Sequence, residues 1–424
     1  MQTGQITSRI ALVTMFAASL SAHSAFAFAD CTTMLPLDGG MDSYVYSLIE
    51  YNQQMIAGGD FTTAGGQNVG HIAKWDGANW VSLGGPFSGM VGVRHMTVFN
   101  GELIVSGGGA LLGRWNGSTW TTQNVPNGQT NAFAVHNNEF IIGGQFFSGN
   151  NFVNALRWNF STGTWQAIGA PGTFGTYSIK ALTVYNGQLF AGGDFFVLNG
   201  KPAAGLAKWN QAAGQWEPFD PGLNNNASVM ALTVYNNDLI VAGGFGSAGG
   251  VNSRGVIRWN AKDGWRSMDG GVTNYVDALT IYHNQLIVGG VFTDAGGTPV
   301  NNIARWNDTL NEWQPVADGV TNCCGYGASV YCLGVSNDKL FAGGWFGFGG
   351  EGPQRIVAWQ DCPLCLADVT GNHVVDIDDL VTVITLWGAC PPTPPCAGDV
   401  NSSGQVNIDD LVAVITSWGA CPQP

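Results

Sequence analysis

Two twelve-residue stretches near the C-terminus carry oxygen-bearing side chains at the same five places. They are Asp368, Thr370, Asn372, Asp376 and Asp379 in the first, and Asp399, Asn401, Ser403, Asn407 and Asp410 in the second. Positions 1, 3, 5, 9 and 12 are the spacing with which one loop wraps a calcium ion, the backbone carbonyl at position 7 (here Val374 and Gln405) supplying a further ligand. Hard oxygen donors with no facing His or Cys select Ca²⁺ over zinc. Two sites are expected, the first weaker. His373 stands there at position 6, where the sharp turn calls for glycine, whereas Gly404 keeps it in the second loop.

Each loop leads into an apolar stripe at helical spacing: Leu380, Val383, Ile384 and Trp387, then Leu411, Val414, Ile415 and Trp418. The spacing predicts two short helices, each burying its stripe against the other copy. Asp378-Asp379 and Asp409-Asp410 stand at the helix starts, where the helix dipole favours negative charge, and Trp-Gly ends each helix. From Pro363 to the end there are seven Asp and no Glu, Lys or Arg, half of the chain's net charge of −14. Such a balance excludes a nucleic-acid partner, which needs a basic face.

The two segments Cys365–Cys390 and Cys396–Cys421 are each 26 residues long and are joined by Pro391-Pro392-Thr393-Pro394-Pro395. With loop, Asp-Asp-Leu and Trp-Gly recurring in both, residues 363–424 resemble a type I dockerin, a duplicated EF-hand-like domain. Asp rather than Glu at position 12 fits that form. The resemblance implies calcium-dependent folding and docking onto a cohesin-like partner. It places partner recognition at Ile377-Asp378 and Ile408-Asp409, near-identical pairs that permit two binding orientations. The four cysteines allow three pairings, and their equal spacing favours Cys365–Cys390 with Cys396–Cys421.

These loops end a chain whose larger part is organised differently. Gly-Gly recurs at Gly58, Gly107, Gly143, Gly192, Gly243, Gly289 and Gly343, followed in step by Trp75, Trp115, Trp158, Trp209, Trp259, Trp306 and Trp359. Seven copies spaced 36 to 54 residues apart mark a repeat architecture. Within Ala181–Phe219, apolar runs flank Asn186-Gly187, a strong hairpin signal, and the second run ends at Gly192-Gly193. A third strand ends at Trp209 and a fourth begins at Trp216; the equivalents of the latter are Trp80, Trp120, Trp165, Trp265 and Trp313. Four short antiparallel strands per repeat make a propeller blade. The second copy has six residues between Gly-Gly and Trp where the others have 13 to 15, so its blade is expected with a clipped loop.

The seventh copy lacks its last strand, because Asp361-Cys362-Pro363 follows Trp359 directly. Met34–Asp38 aligns with Trp216–Asp220, so an N-terminal strand is expected to complete the seventh blade and close the ring. The same alignment sets Cys31 beside Cys362 in the broken turn, which predicts a Cys31–Cys362 disulfide across the closure. One of Cys323 and Cys324 is expected to bond Cys332. The repeats resemble kelch-type and galactose-oxidase-type propellers in their double glycine and later aromatic. The expected fold is thus mainly β, a seven-bladed β-propeller over 30–362 closed by its N-terminal strand, plus the small α-helical calcium-loop domain.

Arg9, the apolar run Ile10–Leu20 and the small residues at Ala25-Phe26-Ala27 or Ala27-Phe28-Ala29 read as a signal peptide over 1–29. No second apolar span follows, so an exported protein without a transmembrane segment is expected. No catalytic constellation is assembled from the repeats. His136 and His283 sit beside hairpin turns of different blades, and Asp60 and Asp194 follow Gly-Gly pairs whose other copies vary. The expected function is non-catalytic: a secreted protein whose propeller face binds glycan or protein, tethered by the dockerin-like domain to a cohesin-like protein or a cell-envelope component. Two other readings are a polysaccharide-degrading enzyme acting on O-glycosyl bonds and a structural cell-surface protein.

Overall fold

The computed structural model describes residues 32–35, 37–84, 90–148, 151–224, 227–321, 327–347, 354–361, 367, 369–370, 374–390, 396, 398–400 and 405–420. The expected signal peptide and the pairs Cys31–Cys362 and Cys323–Cys324 lie outside these residues. The chain divides into two compact units, a propeller and a C-terminal unit beginning at residue 365.

Seven four-stranded antiparallel sheets form the propeller. Their inner strands are Val45–Tyr51, Val91–Phe99, Gly128–His136, Ile179–Tyr185, Ser228–Tyr235, Tyr275–Tyr282 and Ser329–Ser336, in blades 1 to 7. Six blades are built from consecutive strands. The seventh takes its outer strand from the N-terminus: Thr32–Leu35 pairs with Ile356–Asp361, from Leu35 opposite Ala358 to Thr32 opposite Asp361. The ring is closed where the alignment placed the seam, and the paired run stops one residue short of Cys31 and of Cys362. Blade 2 keeps four strands despite its clipped loop, the hairpin running from Glu102–Gly108 into Leu111–Trp115. Blades 1, 4, 5 and 6 use the corresponding residues for small two-stranded hairpins.

The core is distributed between blades rather than gathered at one centre. Each pair of neighbours shares one hydrophobic cluster, and the cluster joining Val45 and Met55 to Phe341 and Ile356 spans the closure. The double glycines make these sandwiches possible. A Cβ on Gly192 would overlap Val229 Cγ1 of the next blade, and one on Gly193 would overlap the Ser178 carbonyl oxygen of its own inner strand. The first glycine therefore admits the neighbouring blade and the second admits a local distortion of the strand beside it. Blades 2 and 5 carry the pair one residue later, so Ser106 and Ala242 occupy the first-glycine register.

Aromatic residues tie blade to blade. Each outer-strand tryptophan donates its indole N–H to a carbonyl of the preceding blade's exit: Trp216 to Ile168 at 3.0 Å, Trp313 to Met268 at 2.7 Å, Trp120 to Leu83 at 3.0 Å. At the opposite end of the inner strands, Tyr51, Tyr185, Tyr235 and Tyr282 donate their hydroxyls to the next blade's hairpin. His136 takes this tyrosine place in blade 3, its Nε2 lying 3.0 Å from the Gly187 carbonyl. It is the buried last residue of its strand, whereas His283 lies in the turn just past Tyr282, 2.6 Å from Asp338 Oδ1.

The buried Cys332 is a free thiol, which overturns its expected bond to Cys323 or Cys324. Its Sγ packs in the seam instead, 3.7 Å from the Val45 carbonyl oxygen.

In the C-terminal unit, helices α1 (Ile377–Thr385) and α2 (Ile408–Thr416) pack through Val383 and Val414, both fully buried. Val374–Val375 pairs with Gly419–Ala420, and Gly388–Ala389 with Gln405–Val406, so each loop's end is held by the residues that follow the other helix. Cys390 is bonded to Cys396, with Cα atoms 5.4 Å apart. This overturns both expected pairings, Cys365–Cys390 and Cys396–Cys421. The crossed strands bring the end of one copy to the start of the other, within disulfide reach. No helix among the described residues is long and apolar enough to cross a membrane.

Candidate functional site

Every inner strand carries a β-bulge or register shift beside its double glycine. The extra residue occupies one register position around the ring: Tyr46, Arg94, Asn131, Lys180, Met230, Asp277 and Tyr331. A bulge re-aims a side chain and marks places where a sheet does something other than pack. A glycine leaves room for each distortion, the second of the pair in five blades and the first, Gly107 and Gly243, in blades 2 and 5, so a structural repeat positions side chains that do not repeat.

These residues reach across blade boundaries and form a belt. Tyr331 stacks on Tyr46 with ring centroids 5.8 Å apart. Arg94 lies over the Tyr46 ring at 4.3 Å and pairs with Asp60 at 3.3 Å, while the Tyr46 hydroxyl donates to Asp60 at 3.1 Å. Asn131 donates to Ser178 Oγ at 2.6 Å. Lys180 pairs with Asp194 at 2.9 Å and lies 3.6 Å from Met230 Sδ. Asp60 and Asp194, read from the sequence as structural, are the partners of the belt's two cations.

The inner strands of all seven blades enclose a cavity of about 340 Å³, whose wall includes Asn131, Lys180 and Tyr331 together with His95, Ser47 and Leu333. Burial at the mouth shifts its titrating groups. The Asp277 carboxyl is pushed up to about 6 by loss of solvent, with Lys180 opposing. The Tyr46 phenol is pushed up to about 12 by burial, Arg94 opposing and Asp60 adding. His95, enclosed by the channel wall although part of its ring meets the lumen, is pulled down to about 4 by desolvation and then by Arg94. At neutral pH the mouth therefore offers neutral phenols, an amide, a neutral imidazole, two paired cations and the ionised Asp277 carboxylate. No nucleophile with an adjacent base stands among these residues.

In the C-terminal unit the loop residues that are described sit where the spacing requires. Asp376 and Asn407, at position 9, cap the two helices, and Asp379 and Asp410, at position 12, reach back to the cap backbone N–H at 2.9 Å. Asp379 also accepts from the Thr370 N–H at 2.8 Å and the Thr370 hydroxyl at 2.9 Å. Val374 and Gln405 lie in the crossed strands, and Asp399 is half-buried. Asp368, Asn372, His373, Asn401, Ser403 and Gly404 are outside the described residues.

Asp379 and Asp410 are fully buried, yet the sequence beyond Pro363 holds no Lys or Arg to neutralise them. A buried carboxylate at position 12, with Thr370 against Asp379 in the first loop, is donor chemistry that a hard divalent cation takes. These residues fit calcium.

The helical stripes are covered only in their first halves, Leu380 and Val383 in one and Leu411 and Val414 in the other. Ile384 and Trp387 are each 52% exposed, Ile415 is 52% and Trp418 is 53% exposed. Nine-residue helices are too short to cover more than the leucine and valine that face the other copy. Ile377 and Ile408 are exposed too, beside exposed Asp378 and Asp409. Each copy therefore presents the same apolar face, Ile377, Val381, Ile384 and Trp387 in one and Ile408, Val412, Ile415 and Trp418 in the other.

No family model matches the chain, and no curated relative matches it. Among solved structures, the chain is similar to one described as the extracellular domain of a hybrid two component system from B. thetaiotaomicron. The match has a TM-score of 0.52 at 10% identity and covers 78% of this chain. The chain spans about two fifths of that protein's length, the match covering 39% of it. At this identity the likeness concerns the propeller fold.

Proposed function

We propose that this is a secreted, non-catalytic binding protein. Its kelch-like propeller takes a glycan or protein ligand at the belt of bulge residues, and its C-terminal dockerin-like unit tethers it, in the calcium-loaded form, to a cohesin-like protein. The observation that carries the tether is the duplicated exposed apolar face, which begins at Ile377-Asp378 and Ile408-Asp409. Six exposed aliphatic side chains on two nine-residue helices, with Trp387 and Trp418 just past the helix ends, are costly in water unless a partner covers them. Their repetition in both copies supports docking in either of two orientations.

Calcium is held by Asp379 and Asp410 at position 12, and Thr370, Val374, Asp376, Asp399, Gln405 and Asn407 complete the loops with Asp368, Asn372, Asn401 and Ser403. An exported location is supported by the N-terminal signal-peptide pattern and by the extracellular setting of the structural neighbour.

Calorimetry of the full chain against a panel of cohesin domains, with calcium and with chelator, tests this reading. Binding in calcium, its loss on chelation, and its loss in the Ile377→Asp/Ile408→Asp double variant are expected, with either single variant still binding. Binding indifferent to calcium would contradict it.

The hydrolase reading has one specific support, the Asp277 carboxyl raised to about 6 within reach of a cavity. Glycoside hydrolysis requires a second carboxylate facing the same bond, and Asp194, which shares Lys180 with Asp277, is held in an ion pair by it. Release of reducing ends from soluble polysaccharide, abolished by Asp277→Asn, would establish hydrolysis instead of binding.

A further inference from the structure

We propose that the mouth of the propeller takes the uncharged end of a glycan chain, with its terminal sugar laid against Tyr331. This rests on the reading of the belt as a ligand site and names the ligand's chemistry and its direction of entry.

An aromatic ladder crosses the closure of the ring. Trp345 stacks on Tyr44 at 4.4 Å, and Tyr44 on Tyr46 at 5.7 Å with planes 9° apart. Each end of this run is covered by a cation, Arg355 lying 3.3 Å over Trp345 and Arg94 lying 4.3 Å over Tyr46. The faces of these three rings are thus taken by one another and by the two guanidiniums. Tyr331 leans on the ladder through Tyr46 at 5.8 Å and Tyr44 at 6.2 Å, and it also lines the cavity. It is the ring of the cluster that is both braced from behind and turned to the ligand space. A pyranose presents one C–H face and a rim of hydroxyls. The braced phenol ring on blade 7 meets the face, and Asn131 and the Lys180–Asp194 pair, across the channel on blades 3 and 4, meet the hydroxyl rim at little ordering cost.

Charge decides between neutral and acidic sugars. Arg94 is paired with Asp60 and Lys180 with Asp194, and Asp277 adds a carboxyl beside Lys180. Arg355 is buried and donates to the Phe346 carbonyl oxygen at 3.2 Å. Each of these cations is thus already paired or stacked, Lys180 in the cavity wall having Asp194 and Asp277 at its side, so a uronate or sulfate gains no unpaired cation among these residues. Shape decides the direction. The cavity is bounded around its circumference by seven inner strands and, at about 340 Å³, sits at the small end of ligand pockets. A chain enters it along the axis, end first.

The test is calorimetry of the full chain with neutral gluco-, xylo-, manno- and galacto-oligosaccharides of two to six units, with oligogalacturonate, and with a cyclodextrin, which has no chain end. Binding of at least one neutral linear oligosaccharide is expected, with no binding of oligogalacturonate or cyclodextrin. Tyr331→Ala and Asn131→Ala should each weaken it by roughly tenfold or more, and Tyr331→Phe by much less. Cyclodextrin or oligogalacturonate binding as tightly, or Tyr331→Ala leaving affinity unchanged, overturns the proposal while leaving glycan binding intact. Failure of every sugar to bind overturns the proposal and the glycan reading together.

Discussion

Tyr46 and Tyr331 stack 5.8 Å apart although 285 positions separate them in the chain, because the ring brings blade 7 against blade 1. Closure therefore does two things at once. It removes the free edges of the first and last sheets, and it assembles the aromatic part of the mouth from the two ends of the propeller. Stacked pairs of this kind contribute about 0.5–1.5 kcal/mol beyond their buried area. A double-mutant cycle on Tyr46→Ala and Tyr331→Ala, read by denaturation of the propeller, should return a coupling of that size. Strictly additive losses would show that the two rings are neighbours without being partners.

The two glycines of each pair should fail differently. In Gly192→Ala the new methyl meets the Val229 side chain, which a second substitution can shorten; in Gly193→Ala it meets the Ser178 carbonyl oxygen, which none can. Both single variants should lose about 1–3 kcal/mol. Adding Val229→Ala should recover part of the Gly192→Ala loss and none of the Gly193→Ala loss. Equal recovery in both would contradict the assignment of the two glycines to two neighbours.

Asp277 sets a pH dependence. Its folded pKa of about 6 lies above the unfolded value of 3.8, so the native state holds its proton more tightly. The resulting stabilisation is full below pH 4 and is lost as the pH rises through 6. At pH 8 the ionised group is a burden on the order of 1–2 kcal/mol after allowance for its partial exposure. Asp277→Asn should therefore raise the melting temperature at pH 8 by a few degrees and change it little at pH 4. A gain that is the same at both pH values would exclude this origin.

The blade plan was legible because its causes repeat. Alternating apolar runs, Asn-Gly turns, double glycines and in-step tryptophans each answer a packing need that recurs seven times, and the missing fourth strand of the last copy was therefore conspicuous. The belt was not legible for the opposite reason. Tyr46, Arg94, Asn131, Lys180, Met230, Asp277 and Tyr331 share a register and no chemistry, so a search for recurrence passes over them. The tripeptides Tyr46-Ser47-Leu48, Lys180-Ala181-Leu182, Asp277-Ala278-Leu279 and Tyr331-Cys332-Leu333 hold the missed signal, one unrelated residue before a conserved step of the repeat.

In the C-terminal unit, periodicity identified the apolar faces of α1 and α2 but not which of them has a neighbour. Leu380 and Val383, with Leu411 and Val414, do, and Ile384, Trp387, Ile415 and Trp418 are left at the surface. Equal spacing misdirected the cysteine pairing in the same way. It describes the sequence of each copy, whereas the crossed strands decide which copy's end meets which copy's start.

Calcium is the point on which the tether stands. The most direct measurement is peptide-resolved hydrogen exchange of the full chain in calcium and in chelator. Protection over residues 377–385 and 408–416 should be high in calcium and collapse on chelation, with the seven blades unchanged, and Asp379→Asn with Asp410→Asn should reproduce the collapse in calcium. Helices equally protected under both conditions would contradict the account.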